Sequence, residues 1–108
     1  MDLNTENLTS APEGSSPNLP NTFLLKQNYP NPFNSFTLIE FELFIKTHVT
    51  LKIYNINGTL IETLMDDVLS SGIYKCAFYG NQFASGIYFM ELNTGVGGIQ
   101  RKKMLLTK

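Results

Sequence analysis

From Thr22 onward the chain alternates short apolar-rich runs with turn residues, at spacings that predict β-strands. The first run is Phe23-Leu24-Leu25-Lys26-Gln27. In Thr37-Leu38-Ile39-Glu40-Phe41-Glu42-Leu43, Ile39, Phe41 and Leu43 alternate with Glu40 and Glu42, so one face is dry and the other wet. In the third run Val49, Leu51 and Ile53 point one way, while His48, Thr50 and Lys52 point the other. Asn55-Ile56-Asn57-Gly58 follows, and Asn57-Gly58 is a hairpin signal because both residues accept a positive φ. The returning strand is expected over Thr59–Leu64, with Asp66-Asp67 and Ser70-Ser71-Gly72 bounding a short connection.

Ile73–Phe78 predicts a further strand with Tyr74, Cys76 and Phe78 inward. Gly80–Gly86 is a loop carrying one apolar plug, Phe83. Ile87-Tyr88-Phe89-Met90-Glu91-Leu92 is the most apolar run. Tyr88, Met90 and Leu92 face inward, and the Ile87 and Phe89 stripe is covered or forms a contact surface. Gly95, Gly97 and Gly98 make the last turn before the run Ile99–Lys108. No segment carries a sustained helical period with caps. Strands that each hide one apolar face are satisfied by two antiparallel sheets packed face to face. The expected fold is therefore all-β, an Ig-like antiparallel sandwich of about seven strands without a disulfide.

Residues 1–21 differ in character. Pro12, Pro17 and Pro20 lie among Ser, Asn and Thr, with little to bury, so this stretch is expected to be a flexible linker before a domain over 22–108. A linker implies protein on its other side. The opening Met1-Asp2-Leu3-Asn4-Thr5-Glu6 lacks the basic and apolar regions of a secretory signal. Export would then require a signal on a longer precursor or one already removed.

Composition narrows the chemistry. The 108 residues are 43% hydrophobic and 16% charged, with a formal net charge of −1, so no basic surplus exists to neutralise nucleic acid. The single cysteine, Cys76, reads as an inert core thiol, and the single histidine, His48, as a solvated strand residue without partners. Asp66-Asp67 resembles a calcium pair but lacks the spacing of further oxygen ligands and reads as a structural turn. No acid–base constellation or nucleophile elbow is present, so the chain is read as non-catalytic, with no cofactor and no metal. Arg101-Lys102-Lys103 and Lys108 place cations near the end of the last run. They either blunt an exposed sheet edge or take part in recognition.

Four boxes carry a resemblance. Gln27-Asn28-Tyr29-Pro30-Asn31-Pro32-Phe33-Asn34 resembles the opening box of the type A C-terminal sorting domain of the type IX secretion system, the Por secretion tail. Val49–Gly58 is similar to its central strand and hairpin, Phe83-Ala84-Ser85-Gly86-Ile87-Tyr88-Phe89 to its Ser-Gly-Ile-Tyr box, and Lys102–Lys108 to its terminal strand. Ser35-Phe36 departs from the Pro-Ser or Pro-Thr of many members.

The resemblance implies an Ig-like domain at the carboxyl end of a cargo protein in Bacteroidota or related phyla. Such a domain passes through the periplasm and directs fused upstream cargo to the cell surface or beyond. Its implied partners are the outer-membrane type IX translocon, shuttle proteins and a surface sortase. Carried onto this chain, it points to Pro30, Asn31 and Pro32 as a rigid loop, Gly58 at the hairpin and Gly86 and Tyr88 at a strand entrance. Lys102, Lys103 and Lys108 are terminal charges, and Gly14, Ser15 and Ser16 a possible cleavage stretch. Deletion of Lys103–Lys108 is expected to leave cargo in the periplasm. The alternatives are an Ig-like binding or adhesion module, for carbohydrate or protein, and an assembly subunit in which Ile87 and Phe89 seed a weak homodimer. For sugar, Tyr54, Tyr79 and Phe89 are the candidate aromatics, though strand parity does not gather them into one patch.

Overall fold

The computed structural model describes residues 22–95 and 97–108. The expected linker over 1–21, with Gly14, Ser15 and Ser16, lies outside the described residues. Seven strands run in chain order: β1 Phe23–Leu25, β2 Phe36–Leu43, β3 Thr47–Asn55, β4 Leu60–Leu69, β5 Gly72–Tyr79, β6 Gly86–Thr94 and β7 Gly98–Leu106. They form a three-stranded sheet, β1-β2-β5, and a four-stranded sheet, β4-β3-β6-β7. Every strand pairing is antiparallel. Among the described residues there is no helix.

Alternation builds the core. Leu25, Ile39, Phe41 and Leu43 of the first sheet face Val49, Leu51, Ile53, Met90, Leu92, Met104 and Leu106 of the second, each almost fully buried. Burying each such side chain contributes about 1.5–3 kcal/mol before conformational entropy is subtracted. Tyr74 and Cys76 face inward as expected but stay half-buried, because β5 is an edge strand. Burial pushes the Cys76 thiol above its ordinary value, which favours the unreactive protonated form. Phe83 fills the mouth of the core and stacks on Phe78, with ring centroids 5.7 Å apart.

Three local expectations change. The return strand does not stop at Leu64: β4 continues through Asp66 and Asp67 to Leu69, leaving only Ser70 and Ser71 as connection. Aspartate is a poor strand residue, but β4 is an edge strand and a wet edge accommodates it. Nor is His48 without a partner, since its Nε2 lies 2.8 Å from Asp66 Oδ1 across the β3–β4 ladder. Both side chains are largely exposed, so the pair adds little stability.

The hairpin forms one position earlier than Asn57-Gly58 alone suggests. Gly58 N–H donates to Asn55 C=O, and Asn55 Oδ1 accepts from the backbone N–H groups of Asn57 and Thr59. Ile56-Asn57 are thus the central turn residues, and Gly58 follows with φ +82°, a conformation a Cβ disfavours.

Candidate functional site

The opening box and the last strand form one structural unit. Strand β7 pairs with β6 on one side; its other side would be an open edge of the four-stranded sheet. The segment Gln27–Phe33 covers that edge. Gln27 Nε2 donates to Lys103 C=O at 2.8 Å, and Asn31 Oδ1 accepts from Leu105 N–H at 3.0 Å. Phe33 N–H donates to Leu105 C=O at 2.9 Å, and Thr107 N–H to Phe33 C=O at 2.8 Å. Phe33 makes a parallel bridge with Leu106, and its buried ring meets Phe78 edge-on. Further back, Gln100 replaces a missing strand: its side chain accepts from Leu25 N–H and donates to Phe23 C=O.

The loop holding these donors is itself pinned. Thr37 Oγ1 donates to Pro30 C=O at 2.8 Å, and the buried Asn28 amide donates to Thr37 Oγ1 and Pro30 C=O. Proline supplies a fixed φ and no N–H, so the segment cannot drift into a continuous strand. Pro30, Asn31 and Pro32 are exposed while Phe33 is buried, so the loop anchors through one ring and displays the rest.

The cations at the chain's end do not form one cluster. In β7, Arg101 and Lys103 lie on the outer face, whereas Lys102 shares the parity of buried Met104. Alternation separates neighbours in a strand. Nor do they blunt an open edge between Lys103 and Thr107, because the Gln27–Phe33 segment already covers it. Lys108 turns back instead: its N–H donates to Ser85 Oγ and its Nζ to Asn81 C=O. That ties it to the loop before Gly86, where β6 begins with φ +153°. Tyr88 is buried, and its hydroxyl donates to Ala84 C=O at 2.6 Å, fixing the same loop. Gly86, Tyr88 and Lys108 therefore meet at one end of the sandwich, and the β3–β4 turn that carries Gly58 lies at the same end, because Asn55 is paired with Tyr88.

A second feature was missed in the sequence. On the outer face of the four-stranded sheet, Glu91 is 8% exposed. Its Oε1 accepts from the Tyr54 hydroxyl at 3.2 Å, and its Oε2 from Arg101 Nε at 2.8 Å. Burial and the neighbouring Glu91 carboxylate raise the Tyr54 phenol above its ordinary value, so it remains a donor. Tyr54, Gly58, Phe89, Glu91 and Arg101 line an open groove of about 420 Å³. Tyr54 and Phe89 are directly opposed across β3 and β6, so parity does gather two of the three candidate aromatics. Tyr79 stands apart beside Phe36 on the other sheet. Phe89 and Ile87 are half-covered rather than open.

Fold and surface together define the class: an Ig-like β-sandwich domain whose last strand is sealed by a proline-rich loop. The chain belongs to the family of secretion system C-terminal sorting domains, those of type IX secretion, whose family model matches residues 27–107. None of the curated proteins matches it. Among solved structures it is similar to PorZ, described as an essential bacterial surface component of the type-IX secretion system of Porphyromonas gingivalis. The identity is 16% and the TM-score 0.57, over 76% of this chain and 11% of PorZ. The chain thus spans a small fraction of that protein, and the likeness is one of fold.

Proposed function

We propose that this domain is an address: it directs upstream cargo fused to it through the type IX secretion system to the cell surface or the medium, by docking rather than catalysis. The family match over residues 27–107 is the observation that carries this reading. The structure adds a physical rationale. A tag shared by unrelated cargo has to fold without their help, and here the boxes at the two ends of the match, Gln27–Asn34 and Lys102–Lys108, knit into one covered edge. The exposed Pro30-Asn31-Pro32 loop and Lys103 would then be displayed for the translocon and shuttle proteins, with Lys108 beyond the end of β7 beside Asn81 and Ser85. The stretch Gly14-Ser15-Ser16 would offer a surface sortase small residues that fit an extended backbone into a narrow cleft. Fusion of residues 1–108 to a periplasmic fluorescent protein in a type IX-competent host tests the reading. Surface fluorescence that disappears in a translocon mutant is the expected result, and retention in the periplasm of the competent host would overturn it. Mass spectrometry of the secreted material reads any cut near Gly14-Ser15-Ser16 as a new N-terminus.

A further inference from the structure

The outer-face groove is more than a satisfied buried acid. Glu91 is buried and uses both carboxylate oxygens, one on Tyr54 and one on Arg101, so little of it is open to an incoming cation. Its bond to Arg101 is made through Nε, which fixes the guanidinium, and among the described residues the two terminal nitrogens carry no further bond. The Arg101 side chain is 64% exposed despite this anchor. A guanidinium held this way presents a planar fork suited to a second carboxylate. Lys52 stands opposite Glu91 in the ladder, and Lys103 opposite Phe89, both on this face. One cation thus lines the groove and two more share its face, around an anion that is already committed, and the half-covered rings of Tyr54 and Phe89 supply an apolar wall.

We infer that this groove is a docking pocket for an acidic side chain of a partner protein. A glutamate or aspartate carboxylate meets the free edge of Arg101 between Lys52 and Lys103, and the apolar residue beside it lies on Phe89 and Tyr54. Charge complementarity selects this occupant. A basic segment would face the three cations, and a purely apolar one would leave the Arg101 fork unpaired. The inference rests on the reading of the domain as a docking tag and names the face and the chemistry that do the docking.

The test is an NMR titration of the whole 108-residue chain with the peptide acetyl-Leu-Glu-Phe-Glu-Leu-amide, alongside its counterpart with glutamine for glutamate. We expect saturable shifts at the amides of Tyr54, Gly58, Phe89 and Arg101, with Kd rising at least roughly tenfold for the glutamine peptide and for Arg101→Gln. Because Arg101→Gln also removes a partner of a buried acid, Lys52→Gln/Lys103→Gln is the second variant. It keeps the Tyr54–Glu91–Arg101 cluster and should weaken binding severalfold while flattening its salt dependence. Equal shifts with both peptides, no shifts at these amides, or binding indifferent to both variants would overturn the inference. So would equal binding of free glutarate, which would make the pocket a small-molecule site, or shifts produced only by phosphatidylglycerol vesicles. The reporter fusion separates the two layers. Surface delivery without peptide binding sinks the pocket alone, whereas periplasmic retention of the unmodified fusion sinks the tag reading whatever the peptides do.

Discussion

Asn31 Oδ1 accepts the backbone N–H of Leu105 at 3.0 Å, across 74 positions of sequence. This bond occupies a place that a neighbouring strand would otherwise fill. Replacing Asn31 with alanine should cost about 0.5–1.5 kcal/mol, the net worth of one such bond. Urea unfolding measures the loss, and hydrogen exchange at the Leu105 amide should accelerate. An unchanged exchange rate would show that the Asn31 bond does not protect this edge.

Truncation of the end is a poorer probe of signalling than the sequence implied. Removing Lys103–Lys108 deletes Met104 and Leu106, both 0% exposed, and strips Phe33 of its backbone partners. Losing one large core side chain costs about 2–5 kcal/mol, and small domains have roughly 5–15 in total. The truncated chain should lose its cooperative melt by circular dichroism, so retained cargo would report misfolding. Lys103→Gln/Lys108→Gln should melt within a few degrees of the parent and isolate the charges. A truncated chain that still melted cooperatively would restore the deletion as a clean test.

Gly80 is buried where the loop after β5 meets the terminal strand. A Cβ there would stand 2.9 Å from Leu106 Cδ1 and 3.2 Å from the Phe33 ring. Those atoms sit in a packed core and have little room to yield. Gly80→Ala should destabilise the domain by about 1–3 kcal/mol, read as a lower denaturant midpoint with an unchanged slope. A neutral effect would mean the seam between Phe33 and Leu106 is looser than its contacts suggest.

Tyr54 gives a pH signature. Its phenol titrates above the ordinary 10.0 in the folded chain, because of burial first and the Glu91 charge second. The stabilisation linked to this shift is fully present below pH 10.0 and is lost as pH rises through the folded value. Thermal melts from pH 8 to 11.5 should therefore fall less steeply on the alkaline side for Tyr54→Phe than for the parent. Parallel curves would mean the hydroxyl does not sense Glu91.

Alternation made most of the sandwich legible. Val49, Leu51 and Ile53, or Ile39, Phe41 and Leu43, declare their face without any knowledge of their neighbours. Asp66 and Asp67 misled because a strand breaker in a central strand is an ordinary residue on a wet edge. Arg101, Lys102 and Lys103 read as one patch only while the strand's two-sidedness is ignored. Glu91 was the harder case. Its parity points outward, which normally means water, and only the cross-strand register brings Tyr54 and Arg101 over it. The two Gln27–Asn34 and Lys102–Lys108 boxes were visible as motifs, but their hydrogen bonds to each other span most of the chain and leave no local trace.

The Gln100 side chain bonds to the backbone of both Phe23 and Leu25, so the earliest strand is stitched to the latest. This sets an order in time. While a ribosome is still making β7, the first strand has no partner on that side and the sheet edge has no cover. The sandwich would close only once β7 has been made, so products interrupted within that strand would keep a bare sheet edge and an untethered first strand.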